Sequence, residues 1–550
     1  MTGLGPEAGG AATAAGLPAL SARERDPRRR LGAFYTPQIA ARVMTEWVLR
    51  SPADRILEPS FGDGSFLTVL AETAARRGWD GVEVAGVELD ERPYEEAISR
   101  RLIARDSALR GDFLALEPFP VDAAVGNPPY VRLRHLPRGQ RSRALRLTKD
   151  VLGLPMQSSG SVWMPFVLHA SEFLRPGGRL AFVLPFEVTY VRYARPLWEY
   201  LGATFGRLSV LRARDRLFPG LLQEAVVLLA DGKGRSTGSV ELHAFESARD
   251  LGDDRAAVEA SVPLQRVVAG ERAFLEGLLT PPLQELLRGK VHDLTRPAES
   301  YVHFRIGYVA GDKSFFHPDA ATLAAQGLTS ASLVPAVTST RKLNGAGLHT
   351  SGLTPDRHEL LFVPRAGKKL SAEEAAYVEL GRLRNVDGRY KCRVRAPWYV
   401  VPSVEFPDVI LSVFCELPLL MVNDGGFAAS NSLLCGYMRA GWDAPGFAAS
   451  WYTSLTALQC ELQVHSLGGG VLVLVPSEAR NVRTVRPGDP PPNHLERVAA
   501  LLKERRFEDA YEAGDAPILR RASGLTRAEI SLVQAGAATL RHWRSGRAGS

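Results

Sequence analysis

Residues 127–130 read Asn-Pro-Pro-Tyr and follow the short apolar run DAAVG. Two adjacent prolines fix φ near about −65° and restrict the residue before each, so this loop is stiff. Neither proline has an N–H, which leaves the Pro128 carbonyl as an acceptor in a rigid position, and Asn127 adds a side-chain amide oxygen. Two acceptors aimed at one small volume grip an amino group with two hydrogens to donate. Tyr130 supplies a flat face on which a planar ring can lie. These residue types suit recognition of a planar NH2-bearing group; a proline-stiffened turn is the plain alternative.

Three further stretches place glycines or acids at the ends of strand-like runs. "RILEP" runs into "SFGDGSF", where Gly62 and Gly64 allow a tight turn before a helix whose N-terminus offers free N–H groups. Ordinary strand-to-helix turns also hold two glycines. "GVELD" ends in Glu88, suitably placed to accept hydrogen bonds from ribose hydroxyls, against the alternative of a solvated acid. "RGDFLAL" gives Asp112, a carboxylate for an amino group, beside Phe113, a ring for stacking. Together these stretches suit an adenosine ligand.

Such tips need a scaffold to bring them together. From about Gly32 to Asp231, helical and strand-like segments alternate, with strands expected on RILEP, VEVAGVEL, DAAVGN, RLAFVLP and EAVVLLA. The alternation predicts a doubly wound α/β sheet, parallel at its centre, that binds ligands at the carboxyl ends of its strands. HASEFLRPGGRLAFVLP reads as a helix, a Pro-Gly-Gly stop and a buried strand, and ADGKGRSTGS (230–239) reads as a linker. Beyond it the rhythm gives way to short β-prone pieces, scattered helices and an Arg-rich helical tail, a separate mixed α+β domain. The expected divisions are a disordered basic tail at 1–30, a first domain at 31–235 and a second at 240–550.

No apolar run of about 18 residues or secretory start is present, so a soluble, cytoplasmic protein without membrane partners is expected. Cys392, Cys415, Cys435 and Cys460 form no CxxC pair and the eleven histidines no HExxH spacing, so reduced thiols and no metal are expected. The net charge of +7 is mild for 550 residues; its clustering matters more. VRLRHLPRGQRSRALR leaves the Asn-Pro-Pro-Tyr loop with Arg132, Arg134, Arg138, Arg141, Arg143 and Arg146 and no acid between them. Such a run is either a solvated face or a contact for a phosphate backbone.

The order of GAFYTPQIAARVM, ILEPSFGDGSF, GVELD, GDF, GNPPY and FVLP resembles that of the γ-class adenine-N6 DNA methyltransferases, from residue 31 to about 230 and loosely beyond. The resemblance implies a Rossmann-like class I methyltransferase sheet, S-adenosylmethionine as cofactor, and direct methyl transfer to the N6 amino group of an adenine flipped out of duplex DNA. It implies that Tyr35, Thr36 and Pro37 wrap the methionine end, with Glu58, Pro59, Phe61, Gly62 and Gly64 beneath it. Glu88 and Leu89 are then expected at the ribose, Asp112 and Phe113 at the adenine, and Asn127 beside both cofactor and base. Asn127, Pro128, Pro129 and Tyr130 carry the catalytic motif; Phe218, in RLFPGLLQEAVVLLA, either closes over the base or is a core phenylalanine.

Stretches such as LVPAVTSTRKLNG and KCRVRAPWYV are similar to target recognition domains of that family, which makes Arg341, Lys342, Arg389, Lys391, Arg393 and Arg395 candidate DNA contacts alongside Arg132, Arg134, Arg138 and Arg141. About 30 residues precede the first domain, too few for a fused nuclease. Double-stranded DNA is therefore the expected partner, with any endonuclease of a restriction-modification or related defence system on a separate chain. A protein glutamine-N5 or RNA adenine methyltransferase, or an inactive DNA-binding recognition component, remains as the alternative.

Overall fold

Runs such as AAVG and LAFVL have no polar side, so strands built from them must be covered on both faces. The computed structural model describes residues 36–546 apart from 219–223, 253–255, 365–366, 368, 464 and 467–469. The expected tail and Tyr35 lie outside the described residues. Strands β1 (Arg55–Glu58), β2 (Glu83–Glu88), β3 (Ala108–Arg110), β4 (Val121–Gly126) and β5 (Leu174–Pro185) are parallel neighbours in the order β3-β2-β1-β4-β5. β6 (Phe205–Ala213) and β7 (Ala225–Lys233) follow, with β7 antiparallel between β5 and β6; β8 (Ser239–Phe245) and β9 (Val258–Pro263) complete nine strands. The expected α/β sheet, parallel at its centre, is borne out.

Strand alternation separates two cores. Ile56, Ala123, Val125, Ala181 and Val183 face helices α1 (Gln38–Val48) and α2 (Ser65–Arg77), while α3 (Glu91–Ser99) buries Tyr94 and Ala97 in a small satellite cluster. Leu57, Ala124, Leu180, Phe182 and Leu184 face the opposite way, into a core shared with α4 (Arg138–Leu152) and α5 (Trp163–Phe173). Helix α1 forms because Ala40, Ala41, Met44, Thr45 and Val48 repeat at helical spacing and make one buried stripe.

Two local expectations change. Residues 230–239, expected as a linker, instead end β7, turn and start β8 in the same sheet. Gly and Ser suit a tight reversal as well as a linker, so composition alone did not separate the two. The sheet thus includes strands that a boundary near residue 235 leaves to the second domain. The Pro-Gly-Gly stretch after α5 lies within β5, where pairing with β4 skips from Leu174 to Arg179.

The remaining chain forms smaller sheets, including a four-stranded antiparallel one built from Val302–Ile306, Leu433–Met438, Val409–Ser412 and Leu420–Val422. The C-terminal helix Arg527–Arg544 returns to the first sheet: Ile530, Val533, Leu540 and Trp543 share one core with Leu180 and Phe182. Cys392, Cys435 and Cys460 are buried and Cys415 is half-buried. Among the described residues no helix is long and apolar enough to cross a membrane.

A buried ion pair ties the parallel centre to the chain that enters it. Arg179 of β5 donates to Asp54 Oδ2 at 2.5 Å and to the Val48 carbonyl at 2.7 Å, and both side chains are under 10% exposed. Asp54 also accepts the backbone N–H of Arg50 at 2.7 Å and of Ser51 at 2.9 Å. Removing one partner strands the other charge. Arg179→Met is expected to destabilise the protein by about 3–5 kcal/mol, measured as a lower urea midpoint; an unchanged midpoint contradicts this role.

Candidate functional site at the strand tips

Because β1, β2 and β4 run parallel, their carboxyl ends meet on one edge of the sheet. Glu58 ends β1 level with Gly86 of β2, and the chain then turns through Phe61, Gly62 and Gly64 into α2. Gly62 and Gly64 have φ of +50° and +75°, left-handed conformations that an L side chain resists. Phe61 is buried beneath the turn, its ring 6.2 Å from that of Tyr94. Glu88, at the tip of β2, fastens this turn: its carboxylate accepts the N–H of Gly62 at 2.8 Å and of Asp90 at 2.7 Å. Burial raises the Glu88 carboxyl while those backbone donors pull it back. Leu89 points outward at 57% exposed.

Glu58 itself is 1% exposed, and its Oε2 has no hydrogen-bond partner among the described residues. Burial, then the neighbouring Asp63 and Glu88 carboxylates, hold its carboxyl well above the usual range. A buried acid with no counter-charge among the described residues, beside a glycine turn, is suited to a ligand that brings a positive charge.

The loop after β4 meets this turn. Asn127 donates from Nδ2 to Thr36 Oγ1 at 3.3 Å, and its carbonyl accepts Ser60 Oγ at 3.4 Å. Thus the entry to α1, the tip of β1 and the tip of β4 converge on one residue. Thr36 is buried, and Pro37 immediately precedes α1. Pro59 belongs to the segment between Glu58 and the turn, Pro128 is buried, and Pro129 and Tyr130 are half-buried. Burial and the nearby Glu187 carboxylate push the Tyr130 hydroxyl well up, so it stays protonated. The exit of the loop is stitched to the start of α5 by Val162 N–H to the Val131 carbonyl at 2.9 Å and Leu133 N–H to the Gly160 carbonyl at 2.8 Å.

Several expected contacts sit elsewhere. Asp112 spends one oxygen on the Leu114 N–H at 3.1 Å and the other on Arg143 of α4, at 2.7 and 2.9 Å. Phe113 is 2% exposed, its ring packed 5.2 Å from Phe166, 4.8 Å from His169 and 5.6 Å from Phe173. That ring serves the core and offers no stacking face. Phe218 is 4% exposed and packs with Leu217, Ala225 and Phe245, so of its two readings the structure favours the core one. An apolar ring flanked by Leu217 and a buried strand gains more from burial than from exposure.

The arginines also divide. Arg132 pairs with Glu187 at 2.9 Å, and Arg395 donates to the carbonyls of Ala310 and Val309. Lys342 reaches the Asp356 carbonyl, and Arg389 pairs with Asp312 at 2.8 Å. Arg134, Arg138, Arg341, Lys391 and Arg393 are exposed, and Arg141 is half-buried. Sequence reasoning missed Ser60, Arg143 as the partner of Asp112, and Glu187. Only the position of Glu187 just after FVLP marked it, and no motif signals a carboxylate there.

Comparison with known proteins places this geometry in context. The family model described as N-6 DNA Methylase matches residues 22–193, and that described as Type II methyltransferase M.Eco57I, C-terminal domain, matches residues 271–519. The Type II methyltransferase M.AccI of Acinetobacter calcoaceticus is 20% identical over 433 residues, 74% of this chain and 76% of that one. M.XamI of Xanthomonas campestris pv. amaranthicola is 24% identical over 406 residues, 70% of this chain and 72% of that one. In fold, the chain is similar over 96% of its length to the Type IIL restriction-modification enzyme MmeI solved in complex with DNA, with a TM-score of 0.53, 13% identity and 80% of that chain covered.

The state of Glu58 has a consequence that needs no ligand. Its folded carboxyl binds its proton more tightly than in the unfolded chain. Its favourable contribution is therefore present below the unfolded value, about 4.3, and is lost as pH rises through the higher folded value. Glu58→Gln is expected to raise the urea midpoint of the ligand-free protein at pH 7, with the gain shrinking as pH falls toward the unfolded value. Urea unfolding at both pH values measures this; equal midpoints at pH 7 contradict it.

Proposed function

We propose that this chain, whose residues 22–193 match the model described as N-6 DNA Methylase and whose residues 271–519 match that of the Type II methyltransferase M.Eco57I C-terminal domain, is a site-specific adenine-N6 DNA methyltransferase of restriction-modification type that uses S-adenosylmethionine. The observation that carries this reading is the convergence of Thr36, Ser60 and Asn127 at strand tips beside the buried Glu58, whose Oε2 has no hydrogen-bond partner among the described residues.

When bound, S-adenosylmethionine supplies an electrophilic methyl group on a positively charged sulfur. The residues present fit its methionine and ribose end. Glu58 is a buried carboxyl that gives up its proton more readily once a positive charge enters beside it, and the Gly62 turn, fastened by Glu88, leaves open space above its backbone. At the adenine end Asp112 is held by Arg143, and we assign no contact there to Phe113.

Toward the base, the Asn127 side-chain oxygen and the Pro128 carbonyl would accept the two hydrogens of the amino group and free its nitrogen lone pair; the N–C bond that forms replaces the S–C bond of the donor, whose sulfur leaves as a neutral thioether, and one amino hydrogen is lost as a proton. Tyr130 gives the ring a face to lie on. The loop's stiffness means that little reorganisation accompanies the reaction, so positioning and fixed dipoles supply the rate. An adenine inside a duplex does not reach a half-buried loop, and the base must leave the stack. The exposed Arg134 and Arg138 lie on the same segment as the loop, where a phosphate backbone would pass. Residues beyond Pro263 then read the target sequence.

Incubation with duplex DNA and radiolabelled S-adenosylmethionine, followed by digestion to nucleosides, tests the reading. Label is expected in N6-methyldeoxyadenosine. Asn127→Ala is expected to lower the transfer rate by on the order of 10²-fold or more with DNA affinity retained. Label in cytosine, in RNA or in a protein glutamine contradicts the proposal.

A further inference from the structure

Just beyond β5, Glu187 gathers donors from three parts of the chain. Its side chain is 11% exposed. Oε1 accepts Tyr193 Oη at 2.6 Å and the indole N–H of Trp163 at 3.3 Å, and Oε2 accepts Arg132 Nη2 at 2.9 Å. Arg132 donates its other terminal nitrogen to Tyr193 Oη at 3.3 Å and to the Ser159 carbonyl at 3.4 Å. Trp163 is fully buried at the start of α5, and its ring lies 5.7 Å from that of Tyr193. Burial and the Glu187 charge hold the Tyr193 hydroxyl far above its ordinary value, so it remains a donor.

The geometry of this network is that of a fixture. Arg132 stands two residues after Tyr130, so its guanidinium fork fixes where the Asn-Pro-Pro-Tyr loop leaves the sheet. The planar fork spans a carboxylate, a hydroxyl and a carbonyl at once, which a lysine ammonium on a flexible stem does not. Trp163 provides the immobile end, and Glu187, rooted at the next strand tip, joins the two. We infer that Arg132 and Glu187 are positioning residues for the loop that carries Asn127 and Tyr130, and that Arg132 is not a phosphate contact despite lying in the arginine run. This inference rests on the function proposed above.

Steady-state methylation and DNA binding at several salt concentrations, on the full chain, separate the two roles of Arg132. A misplacement of the loop by about 1 Å costs on the order of 10²-fold in rate. Arg132→Lys and Glu187→Gln are each expected to lower kcat by roughly 10- to 100-fold, with KM for DNA and cofactor affinity within about twofold. The slope of log affinity against log salt is expected to stay at the wild-type value in Arg132→Lys and Arg132→Met. A phosphate contact gives the opposite pattern: wild-type kcat in Arg132→Lys, and a slope shallower by about 0.9 in Arg132→Met. Either result overturns the inference. Should Glu187→Gln not fold, Tyr193→Phe removes one hydroxyl and tests the same network; the inference requires it to lower kcat, and full activity overturns it. A wild-type protein without methyl transfer to DNA overturns the function reading itself. Active wild type with the phosphate pattern overturns this inference alone.

Discussion

Parallel register between β1, β2 and β4 governs what the rest of the molecule has to solve. With Glu58 level with Gly86, and Leu57 level with Ala124, the chain leaves these strands at nearly the same height. Three loops and the entry to α1 are thereby crowded onto one edge. Backbone donors of the turn are absorbed by Glu88, side-chain donors by Asn127 and Thr36, and the remaining acid, Glu58, has no counter-charge among the described residues. A folded protein keeps a buried, uncompensated acid at a cost, and such strain concentrates where a ligand completes the structure. The stiffness of residues 127–130 belongs to the same logic, because a preset loop loses little freedom when it grips a partner.

Much of this was legible in the sequence, and the reasons are physical. The central strands are apolar on both sides and alternate with helical segments, so their existence and parallel packing followed from that pattern. The glycine turn and the paired prolines act through backbone conformation, which the residue types themselves specify. β6 was harder to see: FGRLSVLRA carries arginines and a serine, and its buried Arg212 is held there by Glu224 and by the faces of Phe186 and Trp543. No periodicity announces a buried arginine whose partners come from three other elements. Phe113 and Phe218 were ambiguous for a related reason. A phenylalanine at a strand end is equally suited to stacking and to core packing, and only the neighbours at 4.8–5.6 Å decide for Phe113.

Charge proved to be sorted by partner more than by position in the chain. Within one arginine run, Arg132 and Arg143 turn inward to Glu187 and Asp112, while Arg134 and Arg138 remain exposed. The inward pair couples the loop after β4 to the tips of β5 and β3, so a segment that reads as one basic face is two devices. The C-terminal helix adds a further tie: Trp543 accepts Arg212 at its carbonyl, and His542 lies 3.2 Å from Glu246. Its apolar face shares the core beneath the first sheet, which gives the two halves of the chain a common scaffold.

Hydrogen–deuterium exchange of the full chain, with and without S-adenosylmethionine, tests the central claim most directly, because it reports where a ligand seats without depending on turnover. The account predicts slowed exchange in the segments around 58–64, 88–90 and 126–133 together. Protection confined to the C-terminal half, or none at the tips of β1, β2 and β4 at saturating ligand, would contradict it.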